Sequence, residues 1–260
     1  MERSTGYIIT FAAAVCLVCS VLVTSTAVSL KDRQVENKRL DRQKKILVLA
    51  GLMEKGEGID AAEIDKRFGD NIEAYVVDLK TGEYDPSADT GNFDQRKAAK
   101  DPATSEAAPA NKSGIQRVPK QVLIYHVLEN GEPVTLILPV EGKGLWSTMY
   151  GFLALAPDTT TVKGVTFYEH GETPGLGGEI ENPSWTAKWI GRQAYDDTWA
   201  PVLEVIKGTA GPVESDPTRI DGLAGATLTA RGVSHLLDFW LGESGFSPYL
   251  EKFRAERSAS

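Results

Sequence analysis

The stretch Asp221-Gly-Leu-Ala-Gly-Ala-Thr-Leu-Thr229 decides how the rest of the chain can be interpreted. Gly222 and Gly225 allow backbone angles that a side chain would forbid, and they let another group approach the main chain closely. From Thr227 onward, apolar residues recur at helical spacing. The stretch therefore predicts a tight turn that places Thr227 at or next to a helix N-terminus, where unpaired N–H groups and the helix dipole favour a phosphate. On spacing alone, an ordinary capped helix with Thr227 as N-cap is the preferred interpretation, because small-residue turns before helices are common.

Composition and cysteine usage exclude several classes of protein. The 260-residue chain has a net charge of −8 and 42% hydrophobic residues, as expected for a globular domain. This acidic balance argues against nucleic-acid binding, which needs clustered Lys and Arg. Cys16 and Cys19 both lie in an apolar N-terminal run, so the remaining chain has neither a disulfide framework nor cysteine ligands for an iron–sulfur cluster. We expect these two cysteines to be small buried hydrophobic residues.

The N-terminal run predicts a membrane anchor. Residues 7–30 are predominantly apolar, and no charged residue lies between Arg3 and Lys31. As a helix, this run would span about 36 Å at ~1.5 Å per residue, enough to cross a bilayer. An uncleaved anchor is favoured over a cleaved signal peptide because the run is long, and over a lipoprotein signal because the residues before each Cys match a lipobox poorly. Basic residues follow the span, so a positive-inside count favours a cytoplasmic large domain.

The remaining chain predicts an α+β fold with an antiparallel sheet and flanking helices. Residues 31–70 are expected to form a helical juxtamembrane segment, 71–255 the main domain and 256–260 a tail. Strands are predicted at 72–79, 122–128, 134–140, 150–156, 162–168 and 202–206, with a hairpin turn at Asn130-Gly131. Residues 84–119 contain few large apolar groups, so we expect a long surface loop or a partly disordered one.

Two further segments are dense in turn residues: Gly144-Leu-Trp-Ser-Thr148 and His170-Gly-Glu-Thr-Pro-Gly-Leu-Gly177. Glu169, His170 and Glu172 could suggest a metal or acid–base site. A single histidine among flexible glycines is a weak metal site, however. We therefore predict neither a metal site nor a catalytic residue here.

These segments carry a family resemblance. Residues 221–227 resemble the flavinylation motif (Asp, two residues, Ser or Thr, Gly, Ala, Thr), although Ala224 stands where Ser or Thr is usual. Residues 170–177 resemble the His-x-Glu-Thr-Pro-Gly-Leu-Gly signature of FMN-binding domains, and 144–148 resemble the segment that lies with it against the flavin. With the N-terminal span and residues 238–250, nearly the whole chain resembles the C-subunit family of the sodium-translocating NADH:quinone oxidoreductases.

The resemblance implies a site. FMN would be attached covalently to Thr227 through its phosphate by a flavin transferase. Gly225, Ala226 and Leu228 would surround the phosphate, and Thr229 would be a back-up acceptor. Asp221 and Gly222 would serve recognition by the transferase or fix the turn. The residues expected around the isoalloxazine ring are Trp146, Glu172, Thr173 and Leu176.

The resemblance also implies a role as an electron carrier. FMN would receive an electron from an iron–sulfur centre in membrane subunits and pass it to the flavin of the B-type subunit. The complex, with A, B, D, E and F type subunits, would couple NADH oxidation and ubiquinone reduction to sodium export. The domain would lie on the periplasmic side of the bacterial inner membrane, among its lipids, with residues 1–6 in the cytoplasm, which is opposite to the positive-inside count. The alternatives are the G subunit of the Rnf electron-transport complex, a stand-alone extracytoplasmic reductase, and a membrane-tethered binding or scaffold protein without a cofactor.

Overall fold

The computed structural model describes residues 4–258. Two compact units divide the chain, Met1–Gln43 and Lys44–Ser260. From Thr5 onward, the first unit is helical and belongs to α1, which runs Thr5–Leu49. The most apolar window of α1 has a mean hydropathy of 2.4, so the helix is long and apolar enough to cross a membrane. Cys16 and Cys19 are exposed on this helix. The described chain therefore does not bury them, contrary to the expectation.

The second unit contains the remaining helices and all the strands. The helices are α2 (Ala61–Asn71), α3 (Gln95–Lys100), α4 (Pro183–Thr186), α5 (Thr227–Leu241) and α6 (Ser247–Ser258), with 3₁₀ turns at Gly177–Glu181 and Ala187–Trp189. The strands are β1 (Ile72–Asp78), β2 (Ser105–Ala107), β3 (Arg117–Pro119), β4 (Gln121–Glu129), β5 (Glu132–Lys143), β6 (Thr148–Leu155), β7 (Val162–Glu169), β8 (Glu204–Val205) and β9 (Arg219–Ile220).

A five-stranded antiparallel sheet in the order β1-β4-β5-β6-β7 forms the centre of this unit. The β4–β5 hairpin turns at Asn130 and Gly131, which both have positive φ, as a tight two-residue turn requires. Helix α5 packs against β5, and the buried Trp240 side chain donates from Nε1 to the Glu141 carbonyl at 2.7 Å. The predicted α+β fold with an N-terminal apolar helix, an antiparallel sheet and flanking helices is confirmed.

The helical segment expected at 31–70 is interrupted. Helix α1 ends at Leu49, and residues 50–60 are not helical. Gly51 and Gly56 adopt positive φ there, which ends a helix readily. Helix α2 then begins with Asp60 as its N-cap, whose side chain accepts from the Glu63 amide at 2.9 Å.

The excursion at 84–119 contains α3, β2 and β3 rather than a structureless loop. Asp94 caps α3. The Arg96 guanidinium lies 3.5 Å from the centre of the Tyr150 ring and donates from Nη1 to both Glu169 carboxylate oxygens at 3.0 Å. These contacts tie the excursion to β6 and β7. The sequence prediction underestimated the order of residues 84–119, because the contacts of Arg96 join residues that are far apart in the chain.

Two C-terminal predictions were also inaccurate. The strand expected at 202–206 is reduced to β8, which pairs in parallel with β9. The expected tail at 256–260 is helical up to Ser258, the last described residue, because α6 extends through it. Helix α6 buries Tyr249, Leu250 and Phe253 in the core, which stabilises a segment whose charged sequence suggested solvent exposure.

Candidate functional site

The start of α5 carries unpaired backbone donors. Ala226 is the N-cap residue and makes no capping bond through its side chain. In the described chain, no group accepts from the N–H of Thr227, Leu228 or Thr229. Such donors, with the positive end of the helix dipole, form a site for an anion. Thr227, the first residue of α5, is exposed beside them, where the sequence placed it.

Thr229 is in the opposite environment. Its side chain is 1% exposed, and its hydroxyl donates to Glu172 Oε2 at 2.6 Å. A group that is buried and hydrogen-bonded is closed to a large modifying enzyme. Of the two threonines proposed as acceptors, Thr227 is therefore the accessible one.

Asp221 fixes the turn that precedes α5. One carboxylate oxygen accepts from the Ala210 amide at 2.9 Å, and the other pairs with the Lys188 ammonium. Its backbone carbonyl accepts from Trp185 Nε1 at 2.8 Å. Burial alone would raise the pKa of Asp221, but the bonds from Lys188 and Ala210 outweigh it and hold the pKa below its ordinary value. Both oxygens are thus occupied within the chain, which supports the turn-fixing role of Asp221.

Glu172 connects three segments of the site. Its Oε1 accepts from the Trp146 amide at 3.0 Å, the Ser147 amide at 3.1 Å and the Ser147 hydroxyl at 3.2 Å. Its Oε2 accepts from the Leu145 amide at 3.1 Å and from Thr229. The carboxylate therefore organises the β5–β6 turn and the first turn of α5. The sequence interpretation placed Glu172 beside the isoalloxazine ring. In the structure both of its carboxylate oxygens accept hydrogen bonds from these donors within the chain.

The glycines of two sequence segments make room for this carboxylate. A Cβ on Gly144 would lie 2.5 Å from Glu172 Oε1, and a Cβ on Gly177 would lie 2.6 Å from the Thr229 hydroxyl. Neither separation is possible without movement of the neighbours. The glycines of Gly-Leu-Trp-Ser and Pro-Gly-Leu-Gly are thus explained by close approach to one buried carboxylate.

An exposed apolar patch lies on the start of α5 and on the segments that Glu172 and Gly225 join to it. Its members are Leu145, Trp146, Leu176 and Leu228, all with exposed side chains. Trp146 is 69% exposed at the tip of the turn between β5 and β6. Leu176 lies against Gly225, because a Cβ on that glycine would be 3.0 Å from Leu176 Cδ2. Large apolar groups gathered beside an anion site can cover an aromatic ligand that bears a phosphate.

Other predicted residues have supporting positions. Thr173 is exposed, and its carbonyl accepts from the Leu176 and Gly178 amides at 3.1 and 2.9 Å. Gly222 and Gly225 both lie in the turn, and only Gly225 has positive φ there. A groove of about 980 Å³ opens along α5 with Thr227 in its lining, so Thr227 can be approached from solvent.

Three further residues contribute contacts that were not predicted from the sequence. Lys188 pairs with Asp221, and Ser147 bridges Glu172 and the Gly171 amide, from which its Oγ accepts at 2.7 Å. His170 accepts from the Glu172 amide at Nδ1 (3.1 Å) and contacts Glu181 through Nε2 at 2.9 Å. No local pattern marks Lys188, whereas Ser147 and His170 both lie in the turn-rich segments that the sequence analysis singled out.

Comparisons with known proteins agree with this geometry. The FMN-binding domain family matches residues 144–242, which include the β5–β6 turn, the Glu172 segment and α5. The C subunit of the Na(+)-translocating NADH-quinone reductase of Pseudomonas aeruginosa is 48% identical over 256 residues, 97% of each chain. The protein of the same name from Vibrio anguillarum is 46% identical over 243 residues, 93% of this chain and 92% of that one.

Solved structures are also similar. The crystal structure of Shewanella oneidensis NqrC matches with a TM-score of 0.77 and 34% identity, covering 84% of this chain and 99% of that chain. The crystal structure of the C subunit from Parabacteroides distasonis matches with a TM-score of 0.65 and 25% identity, over 85% of this chain and 96% of that chain. Sequence and fold thus agree over most of the molecule, and the chain belongs to the C-subunit (NqrC) family of the Na(+)-translocating NADH-quinone reductases.

Proposed function

We propose that this chain is the covalent FMN electron-carrier subunit of a Na(+)-translocating NADH-quinone reductase, with the FMN phosphate esterified to Thr227. The observation that carries the proposal is the exposed Thr227 beside three unpaired amides at the uncapped start of α5. A phosphodiester needs an attachment hydroxyl and donors for its anionic oxygens, and this helix start offers both. The family resemblance and the FMN-binding domain match support the choice of FMN.

The chain's own residues bind and orient the flavin. The amides of Thr227, Leu228 and Thr229 donate to the phosphate, and Gly225 and Ala226 let it approach the main chain. Trp146 and Leu176, with Leu228, cover faces of the isoalloxazine ring and reduce its contact with water. Thr173 borders the ring from its exposed turn. The flavin itself supplies the electron-transfer chemistry.

In the complex, the chain acts as a relay. It accepts an electron from an iron–sulfur centre of the membrane subunits and passes it to the flavin of the B-type subunit. Helix α1 anchors the chain in the inner membrane by its apolar part, with the large domain on the periplasmic side. A flavin transferase attaches FMN after recognising the turn at Asp221–Thr227, which the groove beside α5 leaves open to solvent.

A denaturing gel viewed under ultraviolet light tests the attachment. The full chain made in a host that supplies the transferase should give a fluorescent band, because only a covalent flavin migrates with the polypeptide. Thr227→Ala should be dark, and Thr227→Ser should regain fluorescence because it restores a hydroxyl. Thr209→Ala, an exposed threonine on the groove, is the matched control and should stay fluorescent.

Mass analysis of the peptide that contains Thr227 completes the test. An unmodified Thr227 in the wild-type chain would overturn the proposal and favour the class of tethered scaffold without a cofactor. A fluorescent Thr227→Ala would place the attachment elsewhere.

A further inference from the structure

We propose that Glu172 is a positioning residue with a permanent negative charge, which holds Trp146 against the flavin and lowers the flavin's reduction potential. This inference rests on the proposed attachment of FMN to Thr227. It assigns Glu172 a part other than direct contact with the ring. Its two effects, one geometric and one electrostatic, can be separated by experiment.

The hydrogen bonds favour the ionised form of Glu172. Three of its five partners are backbone amides, of Leu145, Trp146 and Ser147, which can only donate. The Ser147 hydroxyl accepts from the Gly171 amide, so its own proton is directed to Glu172. A proton on Oε1 would displace one of its donors, and a proton on Oε2 would force the Thr229 hydroxyl to reverse its bond. Burial alone would raise the pKa of Glu172, but the bonds from Thr229 and the three amides outweigh it and keep the pKa below its ordinary value.

The charge is not neutralised by a neighbouring cation. Among residues 4–258, Glu172 has no Lys, Arg or His in an ion pair, and its stabilisation comes from dipoles of uncharged groups. The residue is 4% exposed, so water screens the charge weakly. A fixed negative charge therefore acts on whatever lies beside the start of α5.

The Glu172 charge is positioned to act electrostatically on the proposed flavin. Glu172 bonds Thr229, two residues from the proposed attachment point, and it bonds the amide of Trp146, the proposed ring neighbour. Each electron that the flavin accepts adds one negative charge to it unless a proton is taken up from solvent at the same time. A nearby anion disfavours that added charge, so it shifts the equilibrium towards the oxidised flavin and lowers the midpoint potential.

The geometric effect follows from the same bonds. The Leu145, Trp146 and Ser147 amides all point at one carboxylate, which fixes the tip of the β5–β6 turn although its side chains are exposed. Without the carboxylate the three amides lose their acceptor, and Trp146 loses its fixed position. The side chain with the greatest exposure in the patch is thus held by its backbone.

Potentiometric titration of the flavinylated full chain in detergent, with dithionite and redox mediators, tests the proposal. Glu172→Gln removes the charge and keeps the size, so we expect a higher midpoint potential and a changed flavin circular dichroism spectrum. Glu172→Asp keeps the charge, so its midpoint should stay closer to that of the wild type while its spectrum changes. Glu179→Gln, in the following 3₁₀ turn, is the matched control and should change neither.

The outcomes are distinguishable from failure of the proposed function. A wild-type chain without covalent flavin refutes the attachment itself. A flavinylated Glu172→Gln with the wild-type midpoint refutes the role of Glu172. If Glu172→Gln takes up no flavin, Thr229→Val serves instead, because it removes one donor and brings protonation of Glu172 to a higher pH. As the pH is lowered, the midpoint of Thr229→Val should rise relative to that of the wild type, and parallel curves would overturn the proposal.

Discussion

His126 is a buried residue that gives the fold a dependence on pH. It lies in β4, and its Nε2 is 2.6 Å from the Tyr249 hydroxyl of α6. Burial lowers the pKa of His126 from 6.5 to about 4, against a smaller opposing effect of Glu73. The folded chain therefore resists protonation at a pH where the unfolded chain accepts it.

Protonation of His126 in the unfolded state sets the direction of the pH effect. Between pH 6.5 and about 4 the unfolded state binds more protons through His126 than the folded state does. The contribution is fully present above pH 6.5 and is lost as the pH falls through that window, by about 3 kcal/mol in total at ~1.36 kcal/mol per pKa unit. We expect urea unfolding of His126→Gln to show a shallower loss of stability between pH 6.5 and 4 than the wild type. Equal slopes would contradict this, and acidic groups common to both proteins cancel in the comparison.

At the candidate site, the sequence predicted which segments take part but not which contacts their residues make. The Gly-Ala-Thr turn was recognisable because its residues are contiguous. The function of Glu172 depends on partners 25 to 57 residues away in the chain, and the pairing of Lys188 with Asp221 spans 33 residues. Spacing along a chain carries no information about such contacts. For the same reason, the sequence could not distinguish an exposed Thr227 from a buried Thr229.

The elements show where local pattern suffices. The four strands β4 to β7 were predicted within three residues at each boundary, because alternating apolar residues and the Asn130-Gly131 turn specify adjacent hairpins. Residues 84–119 were not, since their order comes from tertiary contacts. The contacts of Arg96 join α3 to β6 and β7 across more than fifty residues.

Arg96 provides the test of that order. Arg96→Ala removes a cation–π contact with Tyr150 and a bond to both oxygens of Glu169. We expect a loss of about 1–2 kcal/mol in the free energy of unfolding, reduced from ideal values because the pair is partly exposed. Residues 84–119 should also become more sensitive to limited proteolysis.

Lys97→Ala is the matched control for Arg96→Ala. Lys97 follows in the same helix but is largely exposed, and within residues 4–258 its ammonium pairs only with Asp94. Its removal should change the free energy of unfolding by less than ~0.5 kcal/mol. A similar loss for both variants would show that α3 is held by its own helical structure rather than by Arg96.

For the whole molecule, the core lies entirely within the second unit. Every buried apolar residue of the described chain falls between Ile46 and Phe253, and the first unit presents exposed apolar side chains along α1. The sequence anticipated this division, because its apolar run and its folded domain differ in composition. It misplaced the boundary, since the end of α1 contributes Ile46 and Leu47 to the core.

Two truncations separate the anchor from the folded domain. Deletion of residues 1–43 removes no core side chain, so the product should be soluble without detergent and should unfold within about 0.5 kcal/mol of the full chain. Deletion of residues 1–49 also removes Ile46 and Leu47, both 0% exposed, and Leu49, which lies against Gly164 of β7. Loss of one such buried side chain usually costs about 2–5 kcal/mol, so this second product should be less stable by several kcal/mol. Urea titrations followed by tryptophan fluorescence measure both values. The packing of the end of α1 makes residues 44–49 part of the domain that carries Thr227. Equal stability of the two products would contradict this and would mean that these residues belong to the anchor alone.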